Sequence, residues 1–186
     1  MSTPYSPWQV SLHPSPQFAF FISHVAEDTE DVKQLKAAIT AESGRGGQPG
    51  LACFLDCENW ETGNENGWVI RDYLRKSEFM LAWITPAYLR NKRGWVWFEL
   101  SYAEILEFGF NNLPQSSGLG LRYIAPLFRR VKVKQVERTP WLNYWQRSLV
   151  RPDLEYPIPE IARIVVDYHT QETRKRRLPP TSVAPL

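Results

Sequence analysis

Residues 17–28, QFAFFISHVAED, change character halfway along. Phe18, Phe20, Phe21 and Ile22 make an apolar run of strand length, the pattern of a strand buried on both faces in a parallel sheet. Glu27, Asp28, Glu30 and Asp31 then crowd what reads as the first turn of a helix, where carboxylates meet the positive end of the helix dipole. Val32, Leu35 and Ile39 follow at helical spacing with charges between them. Ser43 to Gly50 brings four glycines and a proline, which end that helix.

The same alternation repeats along the chain. LACFLD (51–56) reads as a second buried strand, followed by the polar loop CENWETGNENG. Trp68, Ile70, Tyr73 and Leu74 give the apolar side of a second helix that ends near Ser77. FMLAWIT (79–85) is a third strand closed by Pro86, and a third helix covers 95–109 with Phe98, Tyr102, Ile105 and Leu106 at core spacing. RYIAPLF (122–128) is a fourth strand whose end Pro126 makes irregular. Ile161, Ile164 and Val165 mark a last helix. Strands alternating with helices predict an α/β fold on a central, mostly parallel sheet. Residues 1–16, with four prolines, read as an irregular lead-in, 17–170 as the domain, and 171–186 as a basic, Pro-rich tail or linker.

Composition excludes several function classes. The 186 residues are 43% hydrophobic and 23% charged, which suits one globular domain with a core of its own. A net charge of +2 gives no general pull toward nucleic acid or an anionic membrane. The local basic clusters (Arg129, Arg130, Lys132 and Lys134; Arg174 to Arg177) lack the interleaved aromatics of a nucleic-acid surface. Cys53 and Cys57 are too few for a disulfide framework, and their spacing is not C-x-x-C. His13, His24 and His169 are scattered, so no metal site is expected. The N-terminus lacks a signal-peptide pattern and no run reaches the about 20 apolar residues of a membrane span. The expectation is a soluble cytoplasmic protein.

In open α/β sheets, ligands sit beyond the carboxyl ends of the strands, so the loops after residues 23, 56 and 85 carry the chemistry. The first presents Ser23 and His24, either as a satisfied turn or as site groups; no glycine-flanked serine elbow supports a hydrolase triad. The second, FLDCENWETGNENG (54–67), carries Asp56, Glu58 and Glu61, a crowding that suits neither a glycosidase pair nor a calcium loop. Its Trp60 either anchors the loop or stacks on a ligand or partner. The third leads into GWVWFEL (94–100), where Trp95 and Glu99 are i and i+4 on a helix. Glu99 reads either as a carboxylate in apolar surroundings or as a surface residue paired with Arg90, Lys92 or Arg93.

Taken together, FISHVAED, FLDCENWETGNENG and ITPAYLRNKRGWVWFELSYAEI resemble, in order and spacing, three motifs of the Toll/interleukin-1 receptor (TIR) family, over roughly residues 17–170. They look like the first strand and its turn, the second strand and BB loop, and the third strand with the CC loop and following helix. The resemblance implies a flavodoxin-like fold of about five parallel strands flanked by helices. Active members of the family cleave NAD and carry W-x-x-x-E, matched here by Trp95 to Glu99. By resemblance, Glu99 is the catalytic carboxylate, and Ser23, His24, Asp56, Trp60 and Trp95 lie near the NAD pocket. NAD enters as substrate, with no separate cofactor. Homotypic assembly, as oligomer or filament, is implied too, with a separate effector or sensor protein as a further partner. The nearest likeness in role is to small TIR enzymes of bacterial antiphage defence of the Thoeris type. Residues 129–157, with Trp141, Tyr144 and Trp145, match no part of the family pattern. Three other readings stay open: a TIR adaptor without activity, an effector that depletes host NAD, and a nucleoside-deoxyribosyltransferase-like enzyme.

Overall fold

The computed structural model describes residues 16–55, 66–91, 94–112, 121–138 and 147–177. Four strands, β1 (Phe18–Ser23), β2 (Cys53–Leu55), β3 (Ser77–Ile84) and β4 (Tyr123–Phe128), form a wholly parallel sheet in the order β2-β1-β3-β4. Phe20 is in register with Cys53 on one side and Phe79 on the other, and Met80 with Ile124. The helices are α1 (Thr29–Ser43), α2 (Asn66–Arg75), α3 (Pro86–Arg90), α4 (Trp95–Asn112), α5 (Val133–Glu137) and α6 (Ile158–Arg177).

Alternation along β1 shows why its run is unbroken. Phe20 and Ile22 face a layer made by Val32, Leu35 and Ile39 of α1 and Ile161, Ala162 and Val165 of α6. Phe21 faces the opposite layer, made by Ile70 and Leu74 of α2 and Val96, Leu100, Ala103 and Leu106 of α4. Helices cover both faces of a central strand, so both sets of side chains must be apolar. The turn after α1 uses Gly46 and Gly47 at φ of +82° and +80°, and a Cβ on Gly50 would fall 2.5 Å from the Thr40 carbonyl oxygen.

Beyond β4, Leu127 pairs with Val150 in an isolated parallel bridge. The Leu149 N–H donates to the Pro126 carbonyl at 3.0 Å and the Phe128 N–H to the Val150 carbonyl at 3.1 Å. Of the expected sheet of about five strands, the described residues form four and a rudimentary fifth position. Because the Pro126 carbonyl points outward, its missing N–H also lies on the outer side, and the β3–β4 ladder is intact through it. The segment reaching Val150 is tied down by Arg147, which donates to the buried Glu107 carboxylate at 2.5 Å and lies 4.1 Å over the Tyr123 ring.

Some expectations shift. Trp68 and Ile105 were expected on apolar core faces, yet they are 55% and 65% exposed. The inward stripe of α4 runs instead through Val96, Leu100, Ala103 and Leu106, with Phe98 and Tyr102 at its edge. Pro86 closes β3 but also opens α3, occupying the first turn where its missing donor costs nothing. α6 continues to Arg177, into the segment read as tail. Residues 1–15, 139–146 and 178–186, and with them Trp141, Tyr144 and Trp145, lie outside the described residues, as does Cys57. Burial pushes the Cys53 thiol up to about 12, which keeps it a protonated, packing side chain. Among the described residues no helix is long and apolar enough to cross a membrane.

His169 of α6 sits with its ring 5.5 Å from Phe20 and 5.6 Å from Phe79, centroid to centroid. Burial lowers its pKa, opposed by Glu78 and reinforced by Arg122. The unfolded chain, titrating near 6.5, therefore takes up this proton first as pH falls. Stability is held above the unfolded value and lost as pH drops from there through the folded one. The melting temperature is expected to fall below neutral pH by an increment that His169→Gln removes; a pH profile unchanged by that substitution would refute this.

Candidate functional site

β1 leads to β2 on one side, and the chain then crosses to β3 on the other. The crevice beyond the carboxyl ends of β1 and β3 is therefore the topological switch point of the sheet, where ligands bind in such folds. Ser23, the last residue of β1, is 1% exposed there. Its position alternates with Ile22, so its hydroxyl points toward the layer that holds α3 and α4.

Glu99 is 2% exposed, and helix geometry accounts for this. It stands three residues after Val96 and one before Leu100 on the inward stripe of α4. A buried carboxylate without donors costs several kcal/mol; here the Ser23 hydroxyl donates to Glu99 Oε2. The surface reading of Glu99 fails on this burial. Arg90 is exposed, and Lys92 and Arg93 lie outside the described residues.

Thr85, at the end of β3, caps α3: its Oγ1 accepts from the Tyr88 N–H at 3.2 Å. The cap orients the short helix so that Tyr88 is fully buried, its phenol oxygen 3.4 Å from Ser23 Oγ. Burial drives the phenol above its ordinary range; the Ser23 bond opposes this and the Glu99 charge adds to it. Thr85 Oγ1 in turn donates to Asp28 Oδ2 at 2.6 Å. Burial raises the Asp28 pKa against the Thr85 bond, with Asp31 and Glu27 adding to the rise and His24 opposing it. One connected set of groups thus runs from the turn after β1, across the end of β3, to α4.

His24 is 8% exposed, with Nε2 3.3 Å from Thr29 Oγ1. The Thr29 hydroxyl gives its proton to the Ala26 carbonyl at 2.9 Å, so His24 Nε2 is the donor to Thr29. Ser23 bonds Tyr88 and Glu99, not His24, and no serine–histidine hydrogen bond is seen among the described residues. Trp95 is 43% exposed, its ring edge-on to Phe98 at 5.8 Å. Asp56 and Trp60 lie outside the described residues. Ser23 and Glu99 are therefore brought together, His24 borders them, and Trp95 lies at the rim.

Arg71 of α2 completes that rim. Its guanidinium lies 5.1 Å from the Trp68 ring, 5.2 Å from Phe98 and 5.5 Å from Tyr102, stacking that clamps α2 to α4. Tyr88, Thr85 and Asp28 were not singled out from sequence as site residues. The Thr85-Pro86 pair is the signal for the first two, since a threonine before proline opens a helix and turns the residue three positions on toward the cap. Among the described residues no three His, Cys, Asp or Glu side chains form a metal-holding group.

No protein-family model matches the sequence, and no curated protein matches it. Among solved structures, a metazoan TIR-STING receptor from C. gigas matches with a TM-score of 0.52 at 19% identity, over 82% of this chain and 41% of the receptor chain. The chain thus spans about two fifths of that receptor. The similarity extends to the fold, which is the TIR-like, flavodoxin-like α/β arrangement.

Proposed function

We propose that this TIR-like fold is an NAD glycohydrolase or cyclase with Glu99 as its catalytic carboxylate. The observation that carries the reading is a glutamate on the core-facing stripe of α4, held by Ser23 at the switch point of the sheet. A carboxylate buried there gives nothing to solubility and is costly to keep, which points to chemistry. The rim suits a nucleotide: Arg71 is a fixed cation among aromatic rings, and Trp68 and Trp95 are exposed beside it at 55% and 43%.

In the reaction, the bond between ribose C1′ and the nicotinamide nitrogen breaks and its electron pair neutralises the pyridinium. Nicotinamide leaves without a general acid. Positive charge develops on the ribose, and the Glu99 carboxylate stabilises it in a preorganised, poorly hydrated site. Water then adds to C1′ and releases a proton, giving ADP-ribose; an adenine nitrogen adding instead gives a cyclic product. Ser23, His24 and Trp95 border the substrate, and the family resemblance adds Asp56 and Trp60. Antiphage immunity, through NAD depletion or a nucleotide signal to a separate effector, is the role this activity fits. Assembly is homotypic.

Purified protein at high concentration, incubated with NAD, is expected to release nicotinamide, and the mass of the second product names the reaction. No release, even with crowding agent, would sink the enzyme reading. One observation favours a TIR adaptor that works only through homotypic contacts: Trp97, Ile105 and Phe108 of α4 are 44%, 65% and 70% exposed, an apolar strip suited to assembly.

A further inference from the structure

Tyr88 lies in an apolar layer where phenylalanine would fill nearly the same space, so its hydroxyl needs a reason. The phenol oxygen is 3.4 Å from Ser23 Oγ, and Ser23 donates to Glu99 Oε2. A serine hydroxyl has one proton to give. With that proton committed to Glu99, the proton between Tyr88 and Ser23 comes from Tyr88. The order is therefore Tyr88 to Ser23 to Glu99, a chain in which each bond polarises the next.

We propose that Tyr88 is a positioning residue for Glu99, acting through Ser23: its phenol proton fixes the Ser23 hydroxyl in the rotamer that points at Oε2, and so holds the carboxylate in one orientation. The inference rests on Glu99 as the working group of the site. Three elements supply Tyr88's part: β1 brings Ser23, α4 brings Glu99, and the Thr85 cap aims α3 at both. Among the described residues, the other titratable groups facing this site are His24 and Asp28 from the turn after β1, the latter held by Thr85, and Arg71 of α2 beyond Phe98.

The test is the titration of Glu99, read by carbon NMR on full-length protein carrying labelled glutamate, with Glu99→Gln to assign the resonance. In Tyr88→Phe, Glu99 is expected to become about a tenfold weaker acid, and in Ser23→Ala weaker still; Ser23→Thr, which keeps a hydroxyl, restores the wild-type titration. A fluorinated tyrosine at position 88 keeps the core filled and is a stronger donor, so it moves Glu99 the other way even if the phenylalanine variant does not fold. Turnover follows, with kcat down about tenfold in Tyr88→Phe, KM within twofold, and the acid limb of the pH profile moved upward. A Glu99 titration unchanged in both position-88 variants overturns the proposal and leaves Tyr88 as core filling. Because the titration needs no turnover, a wild type that releases no nicotinamide would overturn the NAD reading alone.

Discussion

Glu99→Ala is expected to lower nicotinamide release by about a thousandfold or more. A full charge about 4 Å from a developing cation contributes about 4 kcal/mol at an effective dielectric near 20, and each 1.36 kcal/mol is tenfold in rate. Glu99→Gln separates charge from shape. The amide oxygen still accepts from Ser23, so geometry persists while the charge is lost, and the rate should fall nearly as far. Turnover within about tenfold of wild type in the glutamine variant would reject charge stabilisation as the mechanism. Stability moves differently. Removing a buried charge also removes its desolvation cost, so the melting temperature of the glutamine variant should stay near wild type or rise. A loss of activity that tracked unfolding would instead mark Glu99 as structural.

The second large effect concerns the fold alone. Trp83, the penultimate residue of β3, is fully buried against the α1 and α6 layer. Trp83→Ala is expected to cost about 3–5 kcal/mol, a large part of the about 5–15 kcal/mol a domain commands, and to lower the melting temperature by about 10 °C. The indole N–H is buried with no hydrogen-bond partner among the described residues, so Trp83→Phe loses volume but no bond and should cost far less. Because Trp83 and Ser23 face opposite layers, kcat in the folded Trp83→Ala protein should match wild type at low temperature. Denaturant titration measures the first claim, and a cost below about 1 kcal/mol would mean the core closes around the gap.

The central strands were legible in sequence because burial on both faces leaves no polar interruption: the run from Phe18 to Ile22 and the stretch FMLAWIT needed no periodicity to be seen. α1 was legible for the opposite reason, its Val32, Leu35 and Ile39 standing out among charges. α4 was harder. Its true inward stripe contains a glutamate, and a reading that follows apolar residues slides off it onto Ile105. The polar residue that makes the candidate site is what blurred the phase of its helix. Ser23 and Glu99 were named through motif likeness, but their contact joins residues 76 apart and is set by sheet topology, which local spacing does not encode. α3 is only five residues long, too short for any periodicity, and Tyr88 went unseen with it.

The β4 edge of the sheet is a poor starting point for growth. Pro126 puts a residue without an N–H where an incoming strand would need a donor, and Leu149 and Val150 already occupy the neighbouring carbonyl and amide. Copies of this protein that meet at high concentration are thereby steered away from strand addition at this edge, a step that leads to amyloid-like deposits. An array built from side-chain surfaces instead can dissolve again without any sheet having to be pulled apart.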